Sequence, residues 1–199
     1  MRPPVGVATE AKVGVLALQG STRLHAGALA ELGAQPVAVR TPADLAGVDG
    51  LVIPGGESTT LSLLLDSSGL RPALEDRLAG DFPVLGTCAG MILCATEVLG
   101  GRADQHSLGA IDLTVRRNAF GRQRDSFEAD LDIEDVAGGA FPAVFIRAPV
   151  VTRVGAGVEV LVRVAEGPVL CRAGRVLVSA FHPELGADLR VHQSFLERF

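Results

Sequence analysis

A chain of 199 residues, 48% hydrophobic and 21% charged, can bury a full core without staples, which excludes a disordered or low-complexity protein. Its formal net charge of -5 argues against a nucleic-acid partner held by phosphate contacts. The three cysteines, Cys88, Cys94 and Cys171, are too few for a disulfide framework and lack zinc-ligand spacing, so no metal is expected.

No signal-peptide core and no apolar run of membrane-spanning length is visible, so a cytoplasmic protein with no membrane partner is expected. The expected organisation is a tail over residues 1–11 followed by one domain over residues 12–199. The first strand is predicted at Lys12 to Leu18, and a helix from Thr22 to Leu32 is stopped by Gly33. Strands follow at Pro36 to Arg40 and Gly50 to Pro54, with a short connection around Leu45. Pro54-Gly55-Gly56-Glu57-Ser58-Thr59-Thr60 then opens a helix through Leu61, Leu64 and Leu65, with Ser58 or Thr59 as caps. Continuous apolar strands alternating with helices predict an α/β fold with a parallel sheet.

Phe82 to Leu85 reads as a buried strand and Met91 to Leu99 as a helix ended by Gly100-Gly101. Between them, Gly86-Thr87-Cys88-Ala89-Gly90 puts Cys88 where a strand turns sharply into a helix. Small neighbours permit a strained turn that lifts the thiol out, and a helix N-terminus favours the thiolate. From Gly109 onward short strands are predicted at Ala110 to Val115, Phe127 to Leu131, Val144 to Arg147 and Val158 to Val164, forming a mostly antiparallel edge. A hairpin follows, Val169 to Arg172 with Arg175 to Ala180, and a last helix runs from about Asp188 to Phe199.

His182-Pro183-Glu184 comes after that hairpin. In an extended segment, residues two apart project to one side, so the Glu184 carboxylate can approach the His182 imidazole. Cys88, His182 and Glu184 thus supply a nucleophile, its base and an orienter for attack on a carboxamide. The N–H of Ala89 is one natural oxyanion donor and the N–H of Gly56 the other. His25, His106 and His192 read as solvated or structural, and Cys94 and Cys171 as core.

The Gly-Thr-Cys-Ala-Gly elbow, the Pro-Gly-Gly-Glu-Ser-Thr-Thr loop and the His-Pro-Glu segment together resemble the class I, triad-type glutamine amidotransferases. Arg117 to Gln123, Asp125-Ser126-Phe127-Glu128 and Phe145-Ile146-Arg147-Ala148-Pro149 narrow the resemblance to the glutaminase subunits of pyridoxal 5'-phosphate synthase, the PdxT family. That resemblance implies a single flavodoxin-like sheet, mostly parallel with antiparallel edge strands and helices on both faces. It implies catalysis by Cys88, His182 and Glu184, and L-glutamine held by Gly56, Glu57, Ser58, Arg117, Ile146 and Arg147. It also implies no cofactor in this chain and transfer of ammonia to a barrel-shaped PdxS-type synthase subunit in a large hetero-oligomer, with hydrolysis activated by docking near Gln19-Gly20. A rotated Gly55–Gly56 peptide is our expectation for the resting state. Leu24, Gly186 and the longer tail depart from the family pattern. Two other readings stay open: a DJ-1/PfpI-like cysteine-elbow protein, and a non-enzymatic interaction subunit.

Overall fold

The computed structural model describes residues 11–117, 126–133 and 136–199. Residues 1–10 of the expected tail, the Asn118 to Gln123 segment, Arg124 and Asp125 lie outside the described residues. Ala11 belongs to the folded body: it is buried, and its carbonyl accepts from the Gln35 N–H at 2.9 Å.

In chain order the first half comprises β1 (Lys12–Leu16), α1 (Thr22–Glu31), β2 (Gln35–Val39), α2 (Pro42–Ala46), β3 (Gly50–Ile53), α3 (Ser58–Ser67), α4 (Leu70–Ala79), β4 (Val84–Thr87) and α5 (Ala89–Cys94). The second half comprises β5 (Ala95–Leu99), β6 (Ile111–Arg116), β7 (Ser126–Leu131), β8 (Phe141–Ile146), β9 (Val150–Val154), β10 (Glu159–Val164), β11 (Gly167–Ala173), β12 (Val176–Ser179), a 3₁₀ turn (Pro183–Leu185) and α6 (Arg190–Leu196). The main sheet has seven strands in the order β10-β11-β12-β4-β3-β1-β2. From β2 to β12 every neighbouring pair is parallel, and β11 and β10 add an antiparallel edge beside β12. Every residue of β3, β4 and β12 is buried, as expected of strands covered on both faces, and this is why they read as unbroken apolar runs.

Three expectations need correction. The helix predicted to continue to Leu99 ends at Cys94, and Ala95–Leu99 is instead β5, paired parallel with β6. Thr96 and Val98 are β-branched, and the partner strand decides a segment whose periodicity fits either state. Among the described residues, β6, β7 and β8 are not edge strands of the main sheet: β5-β6-β9 and β7-β8 form small sheets of their own. The connection around Leu45 is the helix α2, with a capping box between Thr41 and Asp44, and α4 and β9 add to the predicted elements. No described helix is long and apolar enough to cross a membrane.

The topology gathers the carboxyl ends of β1, β3, β4 and β12 at one rim. Strand order reverses around β1, and open parallel sheets form their ligand crevice outside the carboxyl ends at such a point.

Candidate active site

Cys88 follows β4 directly, with φ 50° and ψ -102°, a strained conformation for a residue with a side chain. Its N–H donates to the Ser179 carbonyl of β12 at 2.8 Å, and its carbonyl accepts from Ile92 at 3.3 Å, so the turn is bonded on both sides. The elbow depends on Gly90, where a Cβ would collide with the Ile53 carbonyl of β3. This is the nucleophile-elbow geometry that the small residues around Cys88 predict.

His182 comes three residues after β12, and its N–H donates to the Val144 carbonyl of β8 at 2.9 Å. Its Nδ1 lies 2.8 Å from Glu184 Oε1. The route to that contact differs from the predicted one: Pro183–Leu185 is a 3₁₀ turn, closed by Leu185 N–H on the His182 carbonyl at 3.3 Å, rather than an extended segment. Proline at the first position starts the turn and folds the carboxylate back onto the imidazole. Burial disfavours the His182 imidazolium, but its side-chain hydrogen bonds with Cys88 and Glu184 outweigh that and push its pKa up to about 10. Burial likewise opposes the Glu184 carboxylate, and the His182 hydrogen bond with the nearby His25 and His182 rings brings its pKa below the usual value. The set suits an imidazolium held between the Glu184 carboxylate and the Cys88 side chain.

These groups open onto a pocket of about 240 Å³, smaller than the roughly 300–1,000 Å³ of drug-sized sites and suited to a small ligand. Gly56, Glu57, Ser58, Cys88, Ala89, Arg117, Ile146, Arg147 and His182 all line it, while Glu184 stands behind His182. Cys88 Sγ is 3.8 Å from the Ile146 carbonyl, and Arg147 takes φ 43° as β8 turns into the pocket. Gly55 is required by proximity, because a Cβ there would strike the His182 ring.

Glu57 corrects the expected cap of α3. Neither Ser58 nor Thr59 caps the helix; the Glu57 carboxylate accepts from the Thr59 and Thr60 N–H groups at 3.1 and 2.7 Å. Arg117 Nη2 donates to the same carboxylate at 2.7 Å, while its Nη1 donates to Thr59 Oγ1 and Gln105 Oε1, both at 2.8 Å. Burial works against the Glu57 charge, but the Thr60 and Thr59 hydrogen bonds and Arg117 prevail and hold its pKa at about 2. Ser58 Oγ accepts from Gln105 Nε2 at 3.3 Å.

A family model described as the SNO glutamine amidotransferase family matches residues 15–199. The chain belongs to that family. This amidotransferase is 58% identical over 186 residues to "Pyridoxal 5'-phosphate synthase subunit PdxT" of Frankia casuarinae, covering 94% of both chains. It is 58% identical over 185 residues to the protein of the same name in Mycobacteroides abscessus, covering 93% of this chain and 95% of that one. A solved structure titled "Crystal structure of glutamine amidotransferase" superposes with a TM-score of 0.88 at 49% identity, covering 94% of this chain and 97% of that one.

Gln105 of the amidotransferase has no motif around it and reaches the α3 loop only through the fold, so no sequence signal marks it. His25 and His192 read from the sequence as either solvated or structural. Both are fully buried, whereas His106 is exposed. Cys94 and Cys171 are buried as expected, and burial pushes both thiols up to about 12.

Proposed function

We propose that this chain hydrolyses L-glutamine to L-glutamate and ammonia and supplies the ammonia to a synthase subunit that makes pyridoxal 5'-phosphate. The observation that carries the reading is the strained Cys88 beside the His182–Glu184 pair at the floor of a small pocket, in a chain of the glutamine amidotransferase family. The PdxT names of its relatives, at 58% identity over nearly whole chains, support the synthase as the acceptor.

In this mechanism the Cys88 thiolate attacks the carboxamide carbon of glutamine, and the oxyanion is held by the N–H groups of Ala89 and Gly56. The His182 imidazolium, oriented by Glu184, donates its proton to the departing nitrogen, and ammonia leaves a thioester on Cys88. Neutral His182 then takes a proton from water, whose oxygen attacks the thioester; glutamate departs as the thiolate returns. Arg117 and Arg147 face the substrate carboxylate, while Glu57, Ser58 and the Ile146 backbone meet its amino-acid end. Three free cysteines fit the reducing cytoplasm. The partner is a PdxS-type barrel in a large hetero-oligomer, and docking beside Gln19-Gly20 completes the oxyanion hole.

Glutamate release is measured with the chain mixed with its cognate synthase, against the same mixture carrying Cys88→Ala. The expected loss is roughly 1,000-fold or more. Binding without glutamate release would favour an interaction subunit, and equal rates with and without the synthase would remove the docking step.

A further inference from the structure

Behind the triad, buried polar groups continue into the core. His25, on α1, is fully buried; its Nε2 lies 3.4 Å from Glu184 Oε2 and 3.3 Å from Thr87 Oγ1. Its Nδ1 lies 2.9 Å from Nε2 of His192 on α6, also fully buried. The Glu184 side chain is 0% exposed, and among the described residues Oε2 has no hydrogen-bond partner, with the His25 Nε2 nitrogen facing it at 3.4 Å. The titratable groups around Glu184 are thus His182 on its own segment, His25 from α1, and, one contact further, His192 from α6 and Cys88 beyond His182.

The tautomers follow from what each nitrogen faces. A carboxylate oxygen accepts, so His25 Nε2 carries the proton and His25 Nδ1 is bare. His192 must then donate from Nε2, which leaves His192 Nδ1 as an acceptor; that atom is buried without a partner. The opposite assignment would leave His192 Nδ1–H as a buried orphan donor and turn a lone pair of His25 toward the carboxylate, and both are unfavourable. Burial keeps both rings neutral at physiological pH, lowering His25 to about 4 and His192 to about 3.

We infer that His25 and His192 are positioning residues of the triad: His192 fixes the tautomer of His25, and His25 Nε2–H steadies the free oxygen of Glu184 while its other oxygen orients His182. The line of groups runs His192, His25, Glu184, His182, Cys88, and draws α6 and α1 to the 3₁₀ turn and the elbow. Its role in glutamine hydrolysis rests on the function proposed above, but its effect on Cys88 does not.

The test compares isosteres. Gln at position 25 can place an N–H near the position of Nε2, whereas Asn offers one only near Nδ1, toward His192. The primary readout is the rate of Cys88 alkylation by iodoacetamide as a function of pH in the full chain, with Cys94 and Cys171 buried and silent. His25→Asn is expected to slow alkylation roughly tenfold at neutral pH, as loss of an outer hydrogen-bond partner does elsewhere. It should also move the acid limb of the profile upward, because a carboxylate that has lost its donor is protonated at higher pH. His25→Gln should stay within about threefold of the parent on the same scale. His192→Leu should weaken alkylation less than His25→Asn, and the double variant should match His25→Asn alone.

Equal profiles for Asn and Gln, a His25→Asn profile like that of the parent, or additive effects of positions 25 and 192 would each overturn the inference. Should His25→Asn fail to fold, the comparison of His25→Gln with His192→Leu decides: a parental profile in both overturns it. In the complex with the synthase, kcat for glutamine should follow the alkylation pattern with KM unchanged. A parent that alkylates with the expected dependence on His25 but releases no glutamate would sink the proposed function and leave the inference standing.

Discussion

Glu57 holds two roles that one carboxylate can serve only because α3 begins where the pocket does. It accepts from two N–H groups of the first helical turn and from Arg117, while its outer face lines the cavity. Glu57→Ala is therefore expected to lower stability by about 1 kcal/mol through loss of the cap. The same change frees Arg117 and should raise KM for glutamine; an unchanged KM with lowered stability would assign Glu57 to the cap alone. Thermal melts and steady-state kinetics in the presence of the synthase separate the two. Neither the cap nor the Arg117 contact could be read from Gly-Gly-Glu-Ser-Thr-Thr by itself, since Ser58 and Thr59 are the better caps by residue type. Both hydroxyls are instead directed to Gln105, 46 or 47 residues away in the chain.

At the scale of elements, the turn from β4 into α5 holds Cys88, the proposed nucleophile, and its tolerance is set by how closely backbones pass. Gly90→Ala places a methyl against the Ile53 carbonyl, which neither β3 nor α5 can yield without moving Cys88. A loss of about 2 kcal/mol or more in chemical denaturation, with loss of glutaminase activity, is expected. Gly27→Ala is the contrasting change: it sits in α1 with nothing within 4 Å of an added Cβ, and should stabilise by up to about 1 kcal/mol. A destabilised Gly27→Ala protein would contradict the open space on that face of α1. The α5 boundary illustrates the limit of periodicity: Cys94 ends the helix because the next five residues find β6, not because a capping residue stands there.

For the whole molecule, buried ionisable groups set the dependence of stability on pH. His25 and His192 titrate near 6.5 when unfolded but at about 4 and 3 when folded, mainly because burial disfavours their charged forms. The unfolded chain thus binds more protons in that range. Their contribution is present above about pH 6.5 and is lost as pH falls, each tenfold difference in proton affinity between the folded and unfolded chain being worth roughly 1.4 kcal/mol. His182 has the opposite sign: raised to about 10, its contribution is complete below about 6.5 and is lost as pH rises through 10. Denaturant midpoints are expected to fall from pH 6.5 to 4 and again toward pH 10. Cys88→Ala should keep the acid limb and lose part of the alkaline one, because the thiol is one of the groups that raise His182. A flat acid limb would mean that the two histidines are not buried neutral.

The α/β class, the order of the parallel core strands along the chain, the elbow around Cys88 and the pairing of His182 with Glu184 were all determined by residue types a few positions apart. Apolar runs report burial directly, and small residues around a cysteine report a tight turn. Tertiary structure alone decided where the strands lie beside one another, that Ala95–Leu99 is a strand, that Gln105 reaches the α3 loop, and that His25 on α1 meets Glu184 while His192 on α6 meets His25. His25 and His192 are separated by 167 positions, and no local pattern marks a buried imidazole whose partner is brought to it only when the core closes.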